Sequence, residues 1–203
     1  MKLFYAPASP FARKVLASAH EIGLADALTL VPATVSPVEK DKTIAPHNPA
    51  AKIPTLVTAS GQAIYDSRVI CEYLDAQAGG GKLFPHGEAR WPALVLQSLC
   101  DEALDACLLA RYETVLRPES LRWNDWIDGQ MHKVSSTLDA LEANWIHHLA
   151  AHVDIGVIAA CCLPAYLDFR FAHVDWRAGR PRLTAWFEGF SRRPSMALTA
   201  PKV

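Results

Sequence analysis

Apolar residues in the first third of the chain switch between strand-like runs and helical spacing. Residues 1–6 and 28–32 form short apolar runs that predict two strands. Between them, apolar residues recur at helical spacing from Phe11 to Ile22, and Gly23 ends the predicted helix. Residues 54–57 and 63–65 flank a Ser60-Gly61 turn and predict a hairpin, which precedes a helix over residues 67–75.

From residue 89 onward only helical patterns remain. They predict long amphipathic helices over residues 91–116 and 123–149, an almost wholly apolar helix over 155–171, and a last helix over 183–191. Gly79 to Gly81 end the preceding helix, and Leu83 and Phe84 could anchor the linker that follows. We therefore predict an α/β domain over residues 1–77, a linker over 78–88 and an all-helical domain over 89–203.

Pro54 opens the third predicted strand. Because proline cannot donate a ladder hydrogen bond, it is confined to the start or edge of a strand or to a bulge. A cis Ile53-Pro54 bond would turn the chain sharply and direct the amide and carbonyl of Ile53 outward, whereas a trans bond would only begin the strand. Strand, helix and strand, followed by this proline, a hairpin and a helix, form a thioredoxin-like layout.

Three segments together resemble the glutathione S-transferase family: residues 9–15, 48–57 and 65–74. Their order, spacing and placement are specific, and the resemblance continues through the helical half. It implies a glutathione-binding thioredoxin-like domain, an all-helical domain that lines an electrophile site, and a cytoplasmic homodimer that takes part in detoxification.

The resemblance also implies how glutathione would bind. The Ile53 backbone beside Pro54 would pair with the tripeptide as a strand does, and Lys52 would reach the glycyl carboxylate. Ser67, at a predicted helix start, would bind the γ-glutamyl carboxylate, with Asp66 near the ligand's ammonium. Ordinary capping of the helix is the alternative reading of Asp66 and Ser67.

Ser9 is the candidate catalytic residue. Its hydroxyl can donate a hydrogen bond to the glutathione sulfur and so favour the thiolate. Ser9 also precedes Pro10 as a helix cap would, and capping alone is the competing interpretation. Tyr5 is a rival hydroxyl, and the absence of a cysteine at position 9 argues against disulfide-exchange chemistry.

The electrophile site is expected between the domains. Its predicted residues follow from helical phase and closeness to Ser9, and core packing is the alternative for the leucines: Ala8, Phe11, Leu104, Leu108, Arg111 and Tyr112.

The central helix departs from the family pattern at its start. Asp154 can still cap it, but Val157 stands where the family usually carries an aspartate that completes the capping pair. Later in the same helix, we expect Asp168 and Arg170 to be structural and paired, because a charge in an apolar helix needs a partner.

Composition narrows the function classes. The chain has 20 basic and 21 acidic residues, so it carries no positive field to gather nucleic acid or anionic membrane. We find no apolar run of membrane-spanning length and no signal-peptide pattern. The five cysteines form no CxxC pair, and we expect reduced thiols and no metal site.

The leading interpretation is a transferase that adds the glutathione thiolate to a hydrophobic electrophile, with no metal. Glutathione-dependent isomerisation or dehalogenation is the alternative among enzymes, although the isomerase-type Ser-Ser-Cys motif is missing. A non-catalytic interaction or stress-response protein with the same fold is the alternative outside enzymes. Retention of Lys52, Pro54, Asp66 and Ser67 favours a glutathione-binding protein over that last possibility.

Overall fold

The computed structural model describes residues 1–202, which form two compact units. One unit comprises residues 1–91 together with the segment that begins at Arg192, and the other comprises residues 92–191. Within residues 1–202, no helix has both the length and the apolar character needed to cross a bilayer.

The first unit is built on a four-stranded sheet. Its strands are β1 (Lys2–Tyr5), β2 (Thr29–Pro32), β3 (Thr55–Val57) and β4 (Ala63–Ile64), in the order β2-β1-β3-β4. β1 runs parallel to β2 and antiparallel to β3, and β3 runs antiparallel to β4. This is the mixed thioredoxin-like sheet that the sequence predicts.

Both faces of this sheet are covered. Helices α1 (Pro10–Glu21) and α2 (Ser67–Gln77) pack against each other. Because side chains alternate along a strand, Leu3 and Leu56 point away from Phe4 and Val57, and all four are buried. Phe4 and Val57 form a cluster with Val31 of β2 and with four residues of the long connection that follows it: Ala33, Val35, Ile44 and Ile53.

Asp75 fastens the linker to the first unit. Its side chain is 2% exposed and accepts hydrogen bonds from the amides of Leu83 at 2.9 Å and Phe84 at 3.4 Å. Leu83 and Phe84 are buried, as expected for an apolar anchor.

The second unit is helical. It contains α3 (Arg90–Val115, which starts just before the unit), α4 (Asn124–Ala140), α5 (Ile146–Ala151), α6 (Ile155–Arg170) and α7 (Pro181–Phe190). The helix predicted over residues 123–149 is present as a helical run over residues 124–151, but a wider π-helical turn at Leu141–Trp145 divides it into α4 and α5. The all-helical nature of this half is confirmed.

Helix α6 forms the centre of the second unit, and residues 155–167 are all buried. Asp154 caps it by accepting a hydrogen bond from the Val157 amide at 3.0 Å, as predicted. A β-carbon on Gly156 would lie 2.6 Å from the Ala93 carbonyl oxygen, so α6 and α3 approach too closely here for a larger residue.

The two charges near the end of α6 behave differently. Asp168 accepts hydrogen bonds from the Trp176 indole and from Arg177, both at 2.7 Å, which confirms its structural pairing. The same expectation is wrong for Arg170, whose guanidinium stacks on Phe169 and forms no ion pair within residues 1–202. The carboxylate of Asp168 is already occupied by its other partners.

A short helix that the sequence pattern does not predict, α8 (Pro194–Leu198), returns to the first unit and packs on α1. Glu21 of α1 accepts hydrogen bonds from Arg193 Nε at 3.0 Å and from the Ser195 hydroxyl. Arg13 donates to the Met196 carbonyl at 3.1 Å. These contacts fix the end of the chain on α1.

Candidate functional site

The predicted glutathione residues converge at one end of the sheet. In the β1–β3 register Phe4 faces Thr55, and in the β3–β4 register Leu56 faces Ile64. Tyr5 and Pro54 adjoin the Phe4–Thr55 pair, and Asp66 follows Ile64 by two residues. The end of β1, the start of β3 and the residues after β4 therefore meet, and we call this place the site end of the sheet.

Ser9 follows β1 at the site end. Its hydroxyl is half-buried and accepts a hydrogen bond from the Ala12 amide at 3.2 Å, and Pro10 is the first residue of α1. The Ser9 side chain is thus the N-cap of α1, as the capping interpretation of the sequence requires. Tyr5 is the last residue of β1 and is also half-buried.

The Ile53-Pro54 bond is cis. The Ile53 side chain packs on the apolar cluster beneath the sheet, while its amide and carbonyl have no hydrogen-bond partner within residues 1–202. A backbone of this kind can pair with an extended ligand. Lys52 is exposed and adjoins it.

Asn48 orders the loop that carries Lys52 and Ile53. It is 3% exposed and donates to the Lys52 carbonyl at 3.2 Å and to the Thr55 hydroxyl at 3.1 Å, while its own oxygen accepts the Ala50 amide at 3.0 Å. Asn48 stands in one of the segments that carry the family resemblance, but no role follows for it from the sequence. An asparagine before proline reads as an ordinary turn residue.

Asp66 and Ser67 begin helix α2. Asp66 is exposed and caps the helix by accepting the Arg68 amide on Oδ1 at 2.9 Å, and the Tyr65-Asp66 bond is cis. Ser67 is 3% exposed, and its hydroxyl has no hydrogen-bond partner within residues 1–202. Capping therefore accounts for Asp66 but leaves the Ser67 hydroxyl available.

The residues predicted for the electrophile occupy separate units. Ala8 and Phe11 flank Ser9 and are half-buried. On α3, Leu108, Arg111 and Tyr112 are half-buried and Leu104 is fully buried, so core packing describes Leu104.

All five cysteines are buried, and none is joined to another in a disulfide within residues 1–202. Burial raises the pKa of Cys107 to about 12, so this residue remains a thiol at neutral pH. It does not have the accessible, low-pKa character of a nucleophilic cysteine.

A curated relative matches the chain over almost its full length. The protein described as uncharacterized GST-like protein YibF of Escherichia coli K12 is 30% identical, and the alignment covers 99% of this chain and 98% of the relative. The chain belongs to the glutathione S-transferase family. The sequence pattern of the glutathione S-transferase N-terminal domain also matches residues 8–77, which include every predicted glutathione contact.

Two solved structures of the family resemble this glutathione S-transferase closely. A family member from Pseudomonas fluorescens Pf-5 with bound glutathione is 45% identical, with a TM-score of 0.97 over 100% of this chain and 99% of that one. A second structure from the same organism, with bound S-(propanoic acid)-glutathione, is 44% identical, with a TM-score of 0.92 over the whole of both chains.

Proposed function

We propose that this family member is a glutathione transferase that binds glutathione at the site end of the sheet and activates its thiol as a thiolate. The observation that carries the proposal is the unpaired backbone of Ile53 next to the cis Pro54. A strand-like tripeptide can pair with this amide and carbonyl without displacing any hydrogen bond of the protein.

The polar ends of the tripeptide have matching groups nearby. The Ser67 hydroxyl and the first amides of α2 suit the γ-glutamyl carboxylate, because helix N-termini favour anions. Asp66 uses Oδ1 for its cap and keeps Oδ2 for the ligand's ammonium. The exposed Lys52 suits the glycyl carboxylate.

Ser9 can meet the sulfur while it caps α1. Its oxygen accepts the Ala12 amide, so the hydroxyl hydrogen remains free to donate to a thiolate. The thiol proton is released to solvent, and a hydrogen bond to the charged form favours that release. In a substitution, the sulfur lone pair then forms the carbon–sulfur bond as the leaving group departs with its electrons. In a conjugate addition, the adjacent carbon takes a proton from water.

The ligands of the two Pseudomonas structures support this proposal. One holds glutathione, and the other holds a glutathione thioether with a carboxylate on its S-substituent. A thioether of this kind has the chemical form of a transferase product. For the electrophile we propose contacts with Ala8 and Phe11 beside Ser9, and with Leu108, Arg111 and Tyr112 on α3. We also propose that the protein is a cytoplasmic homodimer, as its family resemblance implies.

The test measures both binding and ionisation of glutathione. Calorimetry should detect binding to wild type, and Ser67→Ala should weaken it. The ultraviolet absorbance of the thiolate, followed against pH, should show a bound-thiol pKa below that of free glutathione. S-methylglutathione, which has no ionisable thiol, is the matched control and should bind without this absorbance.

Two results would contradict the proposal in different ways. Binding of glutathione with the thiol pKa of the free ligand would identify a glutathione-binding protein without transferase chemistry. Failure to bind glutathione at all would favour an interaction protein that retains only the fold.

A further inference from the structure

Residues 192–202, which we call the C-terminal segment, run along α1 within the first unit. At the last turn of α1, Glu21 accepts hydrogen bonds from Arg193. Nearer the first turn, Arg13 donates to the Met196 carbonyl at 3.1 Å. The segment and α1 therefore run in opposite directions, and the segment leads from the end of α1 toward its beginning.

The C-terminal segment then reaches the turn that precedes α1. The Lys202 amide donates to the Pro7 carbonyl at 3.5 Å. Pro7 lies within residues 6–9, which we call the Ser9 turn and which is closed by a hydrogen bond from the Ser9 amide to the Ala6 carbonyl at 3.0 Å. The far end of the sequence thus contacts the backbone of the turn that carries the candidate catalytic residue.

Arg13 connects the C-terminal segment with Ser9 itself. Its amide donates to the Ser9 carbonyl at 3.0 Å, the first hydrogen bond of α1, while its side chain donates to Met196. The neighbouring Ala12 amide donates to the Ser9 hydroxyl. Both oxygens of Ser9 therefore bind amides of the helical turn that Arg13 ties to the segment.

Stability does not account for an arginine at position 13. The side chain of Arg13 is 5% exposed, and its Nε and Nη1 are buried without a hydrogen-bond partner within residues 1–202. Buried donors without partners lower the stability of a folded protein, and an apolar side chain of similar length in place of a buried charge often raises it. The contact with Met196 therefore calls for a role other than packing.

A catalytic hydroxyl must be placed accurately, since a displacement of about 1 Å can slow a reaction about 100-fold. We propose that the C-terminal segment holds the Ser9 turn where the Ser9 hydroxyl meets the glutathione sulfur, with Arg13 and the Lys202 amide as positioning groups. Both act through Ser9 and not on glutathione. This inference rests on the proposed function and adds that the end of the sequence sets the geometry of the thiol site.

The experiment removes each contact separately. Arg13→Met keeps a long side chain and removes the donor to Met196. Lys202→Pro removes the amide hydrogen, and Lys202→Ala is its matched control because it keeps the amide and loses only the side chain. Arg192→Met removes an exposed positive charge from the same segment and is the control for Arg13→Met.

Arg13→Met and Lys202→Pro should each slow conjugation at least about tenfold and raise the pKa of the bound thiol, with glutathione affinity nearly unchanged. Both controls should match wild type in all three quantities. Steady-state kinetics, the ultraviolet absorbance of the thiolate and calorimetry measure them. If Lys202→Pro has the rate and thiol pKa of Lys202→Ala, or if Arg13→Met has those of wild type, the inference is overturned.

A double substitution tests whether Arg13 acts through Ser9. In a Ser9→Ala background, Arg13→Met should cause little further loss of rate, because the hydroxyl that Arg13 positions is absent. A further loss as large as the one in wild type would show that Arg13 acts on the reaction independently of Ser9. That result would also overturn the inference.

The melting temperature separates positioning from folding. Arg13→Met should unfold at the wild-type temperature or above it, because the substitution removes buried donors that have no partner. A clear loss of stability would show that Arg13 supports the fold and would overturn its role as a positioning residue. The comparison of Lys202→Pro with Lys202→Ala then decides the role of the segment.

Hydrogen exchange in the protein without glutathione separates this inference from the proposed function. The amides of Ser9 and Ala12 should exchange faster in Arg13→Met and Lys202→Pro than in the two controls, because the Ser9 turn is held less firmly. If glutathione does not bind, the proposed function fails, and this measurement alone decides whether the segment holds the turn. Exchange at the wild-type rate in both variants would overturn the inference.

Discussion

The Ser9 hydroxyl oxygen accepts a hydrogen bond from the Ala12 amide at 3.2 Å. The same group retains a hydrogen that it can donate. Helix capping and stabilisation of a glutathione thiolate are therefore compatible roles of one side chain. The two interpretations of Ser9, as a helix cap and as a catalytic residue, therefore do not exclude each other. Substitutions of Ser9 can separate the two roles.

Ser9→Ala should slow conjugation by about 100-fold, as loss of one donor to a reacting charge does elsewhere. Glutathione affinity should change little, because the other proposed contacts hold the tripeptide. The pKa of the bound thiol should rise toward that of free glutathione. Steady-state kinetics and the ultraviolet absorbance of the thiolate measure these effects.

Ser9→Gly is the matched control for the cap. Glycine costs only a few tenths of a kcal/mol at an N-cap, whereas alanine costs about 0.5–2 kcal/mol. Both variants lack the hydroxyl, so both should be slow while only Ser9→Ala is less stable. A Ser9→Gly variant with the wild-type rate and thiol pKa would show that Ser9 is only a cap.

Asn48→Ala should destabilise the protein by about 1–3 kcal/mol, because it removes the three hydrogen bonds that this buried side chain forms with the Lys52 carbonyl, the Thr55 hydroxyl and the Ala50 amide. Glutathione affinity should fall as well, since the loop that presents Ile53 loses its order. Urea denaturation and calorimetry measure the two effects. Asn144→Ala, at an exposed position, is the control and should stay within about 0.5 kcal/mol of wild type. Unchanged glutathione affinity in Asn48→Ala would show that Asn48 does not position the site.

Glu21 should make stability depend on acid pH. Hydrogen bonds from Arg193 lower the pKa of this carboxyl, although burial opposes them. The pKa of glutamate in an unfolded chain is about 4.3. The stabilisation of the folded state by the Glu21 carboxylate is therefore fully present above that pH, and it is lost as the pH falls through the lower pKa of the folded state. Arg193 is 40% exposed, and solvent screening limits the effect to about 1 kcal/mol or less.

Glu21→Gln tests whether the stabilisation by Glu21 is lost toward acid pH. The variant should be less stable than wild type near neutral pH, and the difference should shrink as the solution is acidified. Chemical denaturation at a series of pH values measures it. A difference that stays constant down to strongly acid pH would mean that Glu21 acts through packing and not through its charge.

Gly156→Ala should destabilise the protein by about 1–3 kcal/mol, because the new methyl group would lie 2.6 Å from the Ala93 carbonyl oxygen and 2.8 Å from Leu96 Cβ. Gly129→Ala on α4 meets no atom within 4 Å and should stabilise the protein by about 0.5–1 kcal/mol. Urea denaturation should therefore move the two variants in opposite directions. Shifts in the same direction would contradict the close approach of α6 to α3.

Local signals in the sequence were sufficient to predict most of the helices and strands. Ser9 and Pro10 mark the start of α1, Gly23 its end, and Asp154 the start of α6, because each acts on the backbone within a few residues of itself. The turn at Leu141–Trp145 carries no such punctuation, and its apolar pattern continues without interruption. For that reason the sequence predicts one regular helix and gives no sign of the π-helical turn within it.

Contacts between distant residues could be decided only by the tertiary structure. Arg193 meets Glu21 across 172 positions, a separation over which no local sequence signal acts. Asp168 and Arg170 lie two residues apart in the same helix, yet one is paired and the other is not. The sequence alone determined which charged residues α6 carries, because their identity and spacing are properties of the sequence itself. Only the path of the chain beyond α6 determined which of these charges found partners, since a charge interacts with the groups that the fold brings within a few ångströms of it.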